Sequence, residues 1–230
     1  MNDFKRDVAG IGALEDDLRR ELYEFVSRCH QAVSREQAAH ALGVPAHQAK
    51  FHLDRLEEAG LLETEYVRLT GRSGPGAGRP AKVYRRSATE ISVSLPGREY
   101  ALAGELMATA IDESSGSDTP VVEALVRAAR TRGSELCSSA EDGSSPLESA
   151  KVLLERLGYE PHVEDAVLVM ANCPFHSLAA RHPALVCGMN HALLEGLCDR
   201  VEGLEACLDP GEGRCCVVLR QAASREGTTA

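Results

Sequence analysis

The sequence predicts an α+β chain: a helical N-terminal part closed by two strands, a helical linker, and a small C-terminal α+β part rich in cysteine. Three observations carry this prediction. Helical patterns over 14–29, 34–42 and 45–59 precede two strand-like segments around a Gly- and Pro-rich loop. The stretch 45–86 holds 8 Lys and Arg against 5 Asp and Glu, in a chain of net charge −10. Six of the 8 cysteines fall between Cys173 and Cys216. The expected boundaries are 1–95, 96–145 and 146–230.

The elements follow from local pattern. Leu14, Leu18, Leu22, Phe25, Val26 and Cys29 recur at helical period on one face. Ser34 with Gln37 three residues later reads as a capping box, and Gly43 ends that helix. Pro45 suits the first turn of the next helix, and Gly60 its end. Strands are expected over 61–69 and 82–86, with TGRSGPGAGRPA between them. Helix, helix, turn, helix, then strand–loop–strand is the order of a winged helix-turn-helix. Helices over 97–111 and 120–137 form the linker; Leu102, Leu106 and Met107 are available for a dimer contact, with ordinary core packing the equal alternative. The polar stretch SSAEDGSSP leads into the last part. There, a helix over 147–157, strands over 159–163 and 166–171, and a helix over 185–201 precede a hairpin of 205–208 and 214–219 joined by DPGEG.

Composition narrows the function classes. No apolar run approaches the roughly 18–20 residues of a membrane span, and MNDFKRDVAG lacks a signal-peptide core, so a cytoplasmic chain is expected. Cysteines in that compartment are not expected to be a disulfide framework. Cys173 and His176 invite a thiol-nucleophile reading, but no orienting group or oxyanion site accompanies them, and no enzyme is expected.

In the helix 45–59, Ala49, Leu53 and Leu56 form the buried stripe. His47, Gln48, Lys50, Phe51, His52 and Arg55 are left for the major groove of a double-stranded operator. Gln pairs bidentately with adenine, and Arg or Lys with guanine. Arg72, Arg79, Lys82, Arg85 and Arg86 in or beside the wing are the expected phosphate contacts. The plainer alternative is a solvated helix beside a loop, or a helix-turn-helix serving only as an interaction module.

Thiolates favour iron–sulfur clusters, zinc or copper(I). No Cys-x2-Cys pair occurs, so ligands must converge through the fold. Cys187 and Cys198 lie eleven residues apart on one helix, roughly 16 Å, and cannot share a centre. Cys173, Cys187 and Cys215 are the leading ligands. Cys207, expected opposite Cys215 in the hairpin, is favoured as the fourth, with Cys216, His176 and His182 as alternatives; a one-residue slip favours Cys216. Burial as small hydrophobes is the competing reading of the cysteines.

Two resemblances sharpen this picture. Residues 14–86, with KFHLDRLEEAGLLE and GRSGPGAGRPAKVYR, resemble the winged helix of ArsR-like and DeoR-like bacterial regulators, which implies homodimers on twofold operators. Residues 147–219 resemble the SufR-like iron–sulfur regulators, through Cys173, Cys187 and Cys215 with flanking CPFH and CCVVL. That resemblance implies a [4Fe–4S] cluster on those three cysteines that controls DNA binding. The extra Cys198 and Cys207 leave the fourth ligand open, and zinc as the alternative metal. A redox- or metal-responsive homodimeric transcriptional regulator is therefore expected; a cysteine-rich ligand- or protein-interaction module is the alternative of another class.

Overall fold

The computed structural model describes residues 2–68, 80–137, 145–201 and 203–222. The chain divides into two compact units, Met1–Val93 and Ser94–Ala230. Arg72, Arg79 and most of the wing loop and of the polar linker lie outside the described residues.

The first unit runs α1 (Asn2–Ala13), α2 (Asp17–Arg28), β1 (Val33–Ser34), α3 (Arg35–Leu42), α4 (Ala46–Glu58), β2 (Leu62–Val67) and β3 (Ala81–Arg86). Its antiparallel sheet has the order β1-β3-β2. The expected capping box is formed: Ser34 Oγ accepts from Gln37 N–H, and Gln37 Oε1 accepts from Ser34 N–H. Gly43 takes φ +68 at the end of α3 and so permits the turn into α4. Leu22, Val26, Ala38, Ala49, Leu53, Leu56, Leu62 and Tyr84 share the core. The segment expected as one helix from residue 14 begins instead at Asp17, because the Asp16 carboxylate caps it by accepting from Arg19 N–H. The preceding α1 is not among the expected helices, although Phe4, Val8 and Ile11 recur at helical spacing; these side chains are exposed.

The second unit contains α5 (Tyr100–Ser115), α6 (Val121–Leu136), α7 (Pro146–Arg156), β4 (Pro161–Glu164), β5 (Val167–Met170), α8 (His176–Arg181), α9 (Pro183–Cys198), β6 (Leu204–Leu208) and β7 (Val217–Gln221). The antiparallel order is β4-β5-β7-β6. The linker expected over 96–145 is not a separate piece. Leu102, Leu106, Leu125 and Ala129 pack in the same core as Leu154, Met189, Leu193 and Leu219. Leu102 and Leu106, proposed above as dimer contacts, are consumed in that core, and Met107 packs against it.

Buried on almost every side, α9 is the axis of this unit. It meets α6 backbone to backbone. A Cβ on Gly133 would fall 1.9 Å from Leu193 O, and one on Gly196 would fall 1.9 Å from Arg130 O.

The C-terminal hairpin departs from the expected register. Leu208 pairs with Val217 and Cys207 with Val218, not with Arg214 and Cys215. The connection is longer than DPGEG because its backbone bonds elsewhere. Asp209 N–H donates to Cys216 O, and Cys215 N–H donates across to Met170 O on β5. The Asp209 carboxylate accepts from Arg220 and pairs with Arg214 at 3.2 Å, which gathers the loop around one charge.

Candidate functional site

The surface of α4 separates as its helical period requires. Ala49, Leu53 and Leu56 are fully buried, while His47, Gln48, Lys50, Phe51 and Arg55 are exposed. Phe51 is 56% exposed, and Arg55 lies over its ring at 5.7 Å. Arg55 also pairs with Glu58 at 3.0 Å. His52 corrects the expectation of a groove-facing residue. It is only 9% exposed, with Nδ1 3.6 Å from Asp16 Oδ1 in the turn before α2. Three residues after Ala49 and four before Leu56, it falls on the edge of the docking face.

Lys82 also stands differently from a phosphate contact. It donates to Asp54 Oδ1 at 2.8 Å and to Glu57 Oε2, and lies over the Tyr84 ring at 5.2 Å. Asp54 further accepts from Tyr84 Oη at 2.8 Å and from Lys50 Nζ at 2.6 Å. Thr64 Oγ1 donates to Glu57 at 2.6 Å. These groups tie α4 to β2 and β3. Burial opposes ionisation of Asp54, but the hydrogen bonds from Lys50, Lys82 and Tyr84 outweigh it and lower its pKa to about 2. Burial, then donation to Asp54, raises the Tyr84 phenol above its ordinary value. No local pattern announces this clamp. Asp54 and Glu57, three apart on the helix that carries the basic residues, were its only trace. Arg85 remains at the surface, paired with Glu63 at 2.9 Å, and Arg86 is exposed.

Residues 14–65 match the family model for a helix-turn-helix domain. This domain points to a DNA-binding transcriptional regulator. None of the curated proteins matches the chain. Among the described residues, no helix is long and apolar enough to cross a membrane.

Outside the helix-turn-helix, the second unit gathers four cysteines. Cys173 follows β5, Cys187 lies in the second turn of α9, and Cys215 and Cys216 precede β7. Cys173 and Cys216 both donate to the Cys215 sulfur, and Cys216 also interacts with Cys187. Accepting from Cys173 first, then from Cys216, holds the Cys215 pKa far below the ordinary thiol range despite burial. Donation to Cys215, followed by burial, raises the pKa of both Cys173 and Cys216. Backbone N–H groups of Phe175 and Val217 point at the sulfurs of Cys173 and Cys215. The sulfurs thus form a connected chain of contacts. Among the described residues, no three His, Cys, Asp or Glu side chains are already set around a single metal-ion position.

The loop bearing Cys173 is held by several hydrogen bonds. Asn172, 6% exposed, donates from Nδ2 to Gly97 O at 3.0 Å and to Gly158 O at 2.6 Å. Arg98 donates to Asn172 Oδ1 and, at 3.2 Å, to Cys173 O. Glu99 N–H donates to Pro174 O at 3.2 Å.

The remaining candidates lie elsewhere. Cys207 shares a sheet face with Glu205 and Arg220, and burial raises its thiol pKa. Burial at the far end of α9 pushes Cys198 up to about 12. Cys137 is buried and donates to Leu197 O at 3.6 Å, whereas Cys29 is exposed rather than in the core. His176 and His182 are exposed.

Proposed function

We propose that the chain is a winged helix-turn-helix transcriptional regulator that binds a double-stranded operator as a homodimer. Its binding is controlled by a [4Fe–4S] cluster held by Cys173, Cys187, Cys215 and Cys216. The observation that carries this reading is the chain of contacts that links four sulfurs from three separated segments, two of them buried. An all-sulfur donor set is soft, which suits an iron–sulfur cluster or zinc rather than oxygen-seeking cations. The resemblance of residues 147–219 to the SufR-like regulators favours the cluster of those two. Cys216 replaces Cys207 as the fourth ligand because it touches the Cys187 and Cys215 side chains, whereas Cys207 faces Glu205 and Arg220.

When bound, such a cluster supplies one-electron redox chemistry. The chain's own residues do the rest. Asn172 and Arg98 fix the Cys173 loop, the Cys215 N–H bond to Met170 fixes the strand entry, and α9 carries Cys187. On the DNA side, Gln48, Lys50, Phe51 and Arg55 meet base edges, while Arg85 and the wing arginines meet phosphates. A twofold dimer presents two such helices to half-sites about one helical turn apart. A coupling of about 1–3 kcal/mol between cluster and operator sites suffices for control.

Oxygen-free purification with iron, sulfide and zinc analysis tests this reading. About four irons and four sulfides per chain are expected, as a [4Fe–4S] cluster requires. Cys216→Ser should lose most of the iron, and Cys207→Ser should keep it. Stoichiometric zinc without sulfide would transfer the site to zinc. Metal-free protein whose thiols have no effect on DNA binding would defeat the sensor reading.

A further inference from the structure

Helix α9 is apolar nearly all round, yet it buries an amide. Asn190 is 1% exposed, three residues after Cys187 and therefore on the same side of the helix. A primary amide at that depth carries a desolvation cost unless both of its ends are satisfied. Both are. Asn190 Nδ2 donates to Cys215 Sγ at 3.3 Å, and Oδ1 accepts from Tyr159 Oη. Tyr159 is itself 3% exposed, on the segment between α7 and β4.

The polarity of this relay has a chemical meaning. A metal-bound thiolate has lone pairs and no proton, so a neighbour in hydrogen-bond contact must be a donor. An amide can rotate to present either end. The Tyr159 O–H, donating to Oδ1, fixes the amide with its N–H group toward the sulfur. A flipped amide would set its carbonyl oxygen against an anionic sulfur and leave the phenol proton without its acceptor. The relay Tyr159–Asn190–Cys215 is thus built for a sulfur that is held as an anion. Hydrogen bonds to cluster sulfurs stabilise the more negative, reduced state and so raise the reduction potential. Outer-shell partners of this kind also hold the ligand in place.

Resting on the cluster assignment above, we propose that Asn190, oriented by Tyr159, is a positioning residue for Cys215 that slows cluster loss and raises the cluster's reduction potential. Tyr159 acts on the position of Cys215 through its hydrogen bond to Asn190.

The test uses the full chain, reconstituted with iron and sulfide without oxygen. Reduction potential is read by spectroelectrochemistry, and cluster loss by the decay of visible absorbance under an iron chelator. For Asn190→Leu, loss is expected to be about 10- to 100-fold faster, with a lower potential. Tyr159→Phe removes a single oxygen and should shift both readings in the same direction by less. The double variant should behave like Asn190→Leu alone, because the phenol's hydrogen bond goes to Asn190 and not to the sulfur. Folding of each variant is checked by circular dichroism. A folded Asn190→Leu with wild-type potential and loss rate overturns the proposal. If Asn190→Leu does not fold, unchanged readings in Tyr159→Phe overturn it. Additive effects in the double variant overturn the role given to Tyr159. Wild-type protein that takes up neither iron nor sulfide defeats the cluster assignment itself, whereas loaded wild-type with indifferent variants defeats only this inference.

Discussion

At the scale of single residues, the chemistry of the chain depends on which groups can be charged and which neighbours stabilise that charge. Asp54 keeps its charge because Lys50, Lys82 and Tyr84 all donate to it, and their donation exceeds the cost of its partial burial. Its folded pKa of about 2 lies below the ordinary value of 3.8. The stability it contributes is therefore fully present above about pH 4 and is lost as the pH falls through about 2. With its side chain one-quarter exposed, solvent screening reduces this to on the order of 1 kcal/mol. Denaturant unfolding between pH 2 and 5 should show that difference between wild type and Asp54→Asn, with the gap closing toward pH 2. A gap independent of pH would show that the carboxylate is not the source. Cys207 and Cys216 make the same point about neighbours. Both are half-buried thiols near one hairpin, yet of the two it is Cys216 that is hydrogen-bonded with Cys215 and Cys187.

At the scale of elements, α4 is not a free rod laid on a core. The Asp54, Glu57, Lys82, Tyr84 and Thr64 contacts tie it to β2 and β3, so the exposed face of α4 is held against the two strands. This separates two kinds of cation that the sequence makes look alike. Lys82 is held by two carboxylates, whereas Arg85 is 61% exposed in its side chain. A duplex selected by the wild-type protein from a random-sequence pool provides the probe. Arg85→Ala should lower the salt slope of binding by about 0.9, the signature of one lost phosphate contact. Lys82→Met should weaken binding at every salt concentration and leave the slope unchanged. A slope change in Lys82→Met would return it to the phosphate contacts. In the second unit the corresponding joint is the α6–α9 crossing, where Gly133 and Gly196 bring the backbones into contact. The obstructing atoms there are backbone and cannot swing aside. Gly133→Ala should therefore destabilise that unit by about 3 kcal/mol, at the upper end for overpacking. Gly104→Ala on α5, with open space where its Cβ would go, should instead gain up to about 1 kcal/mol from helix propensity. Thermal melts of the two variants provide the comparison, and equal melting temperatures would refute the crossing as a tight joint.

At the scale of the whole molecule, the two units have separate cores, one built around Leu22, Leu53 and Tyr84 and the other around α9. The sequence by itself determined the helices of the first unit from α2 onward and its two longer strands, though not β1, because capping boxes, positive-φ glycines and helical stripes are local signals, written within a few residues. Ser34, Gly43, Gly60 and the stripe Ala49, Leu53 and Leu56 all behave as their neighbours dictate. It also determined that the cysteines gather late in the chain. Tertiary structure alone decided which of them meet. A strand register is chosen by long-range backbone pairing, and the Cys215 N–H bond to β5 shifted the hairpin away from the arrangement that the local turn implied. It alone decided that His52 turns inward toward Asp16, that Lys82 is tied to two carboxylates, and that an amide at position 190 faces a sulfur. Each of these depends on partners far away in the chain, and no local periodicity encodes a partner's position.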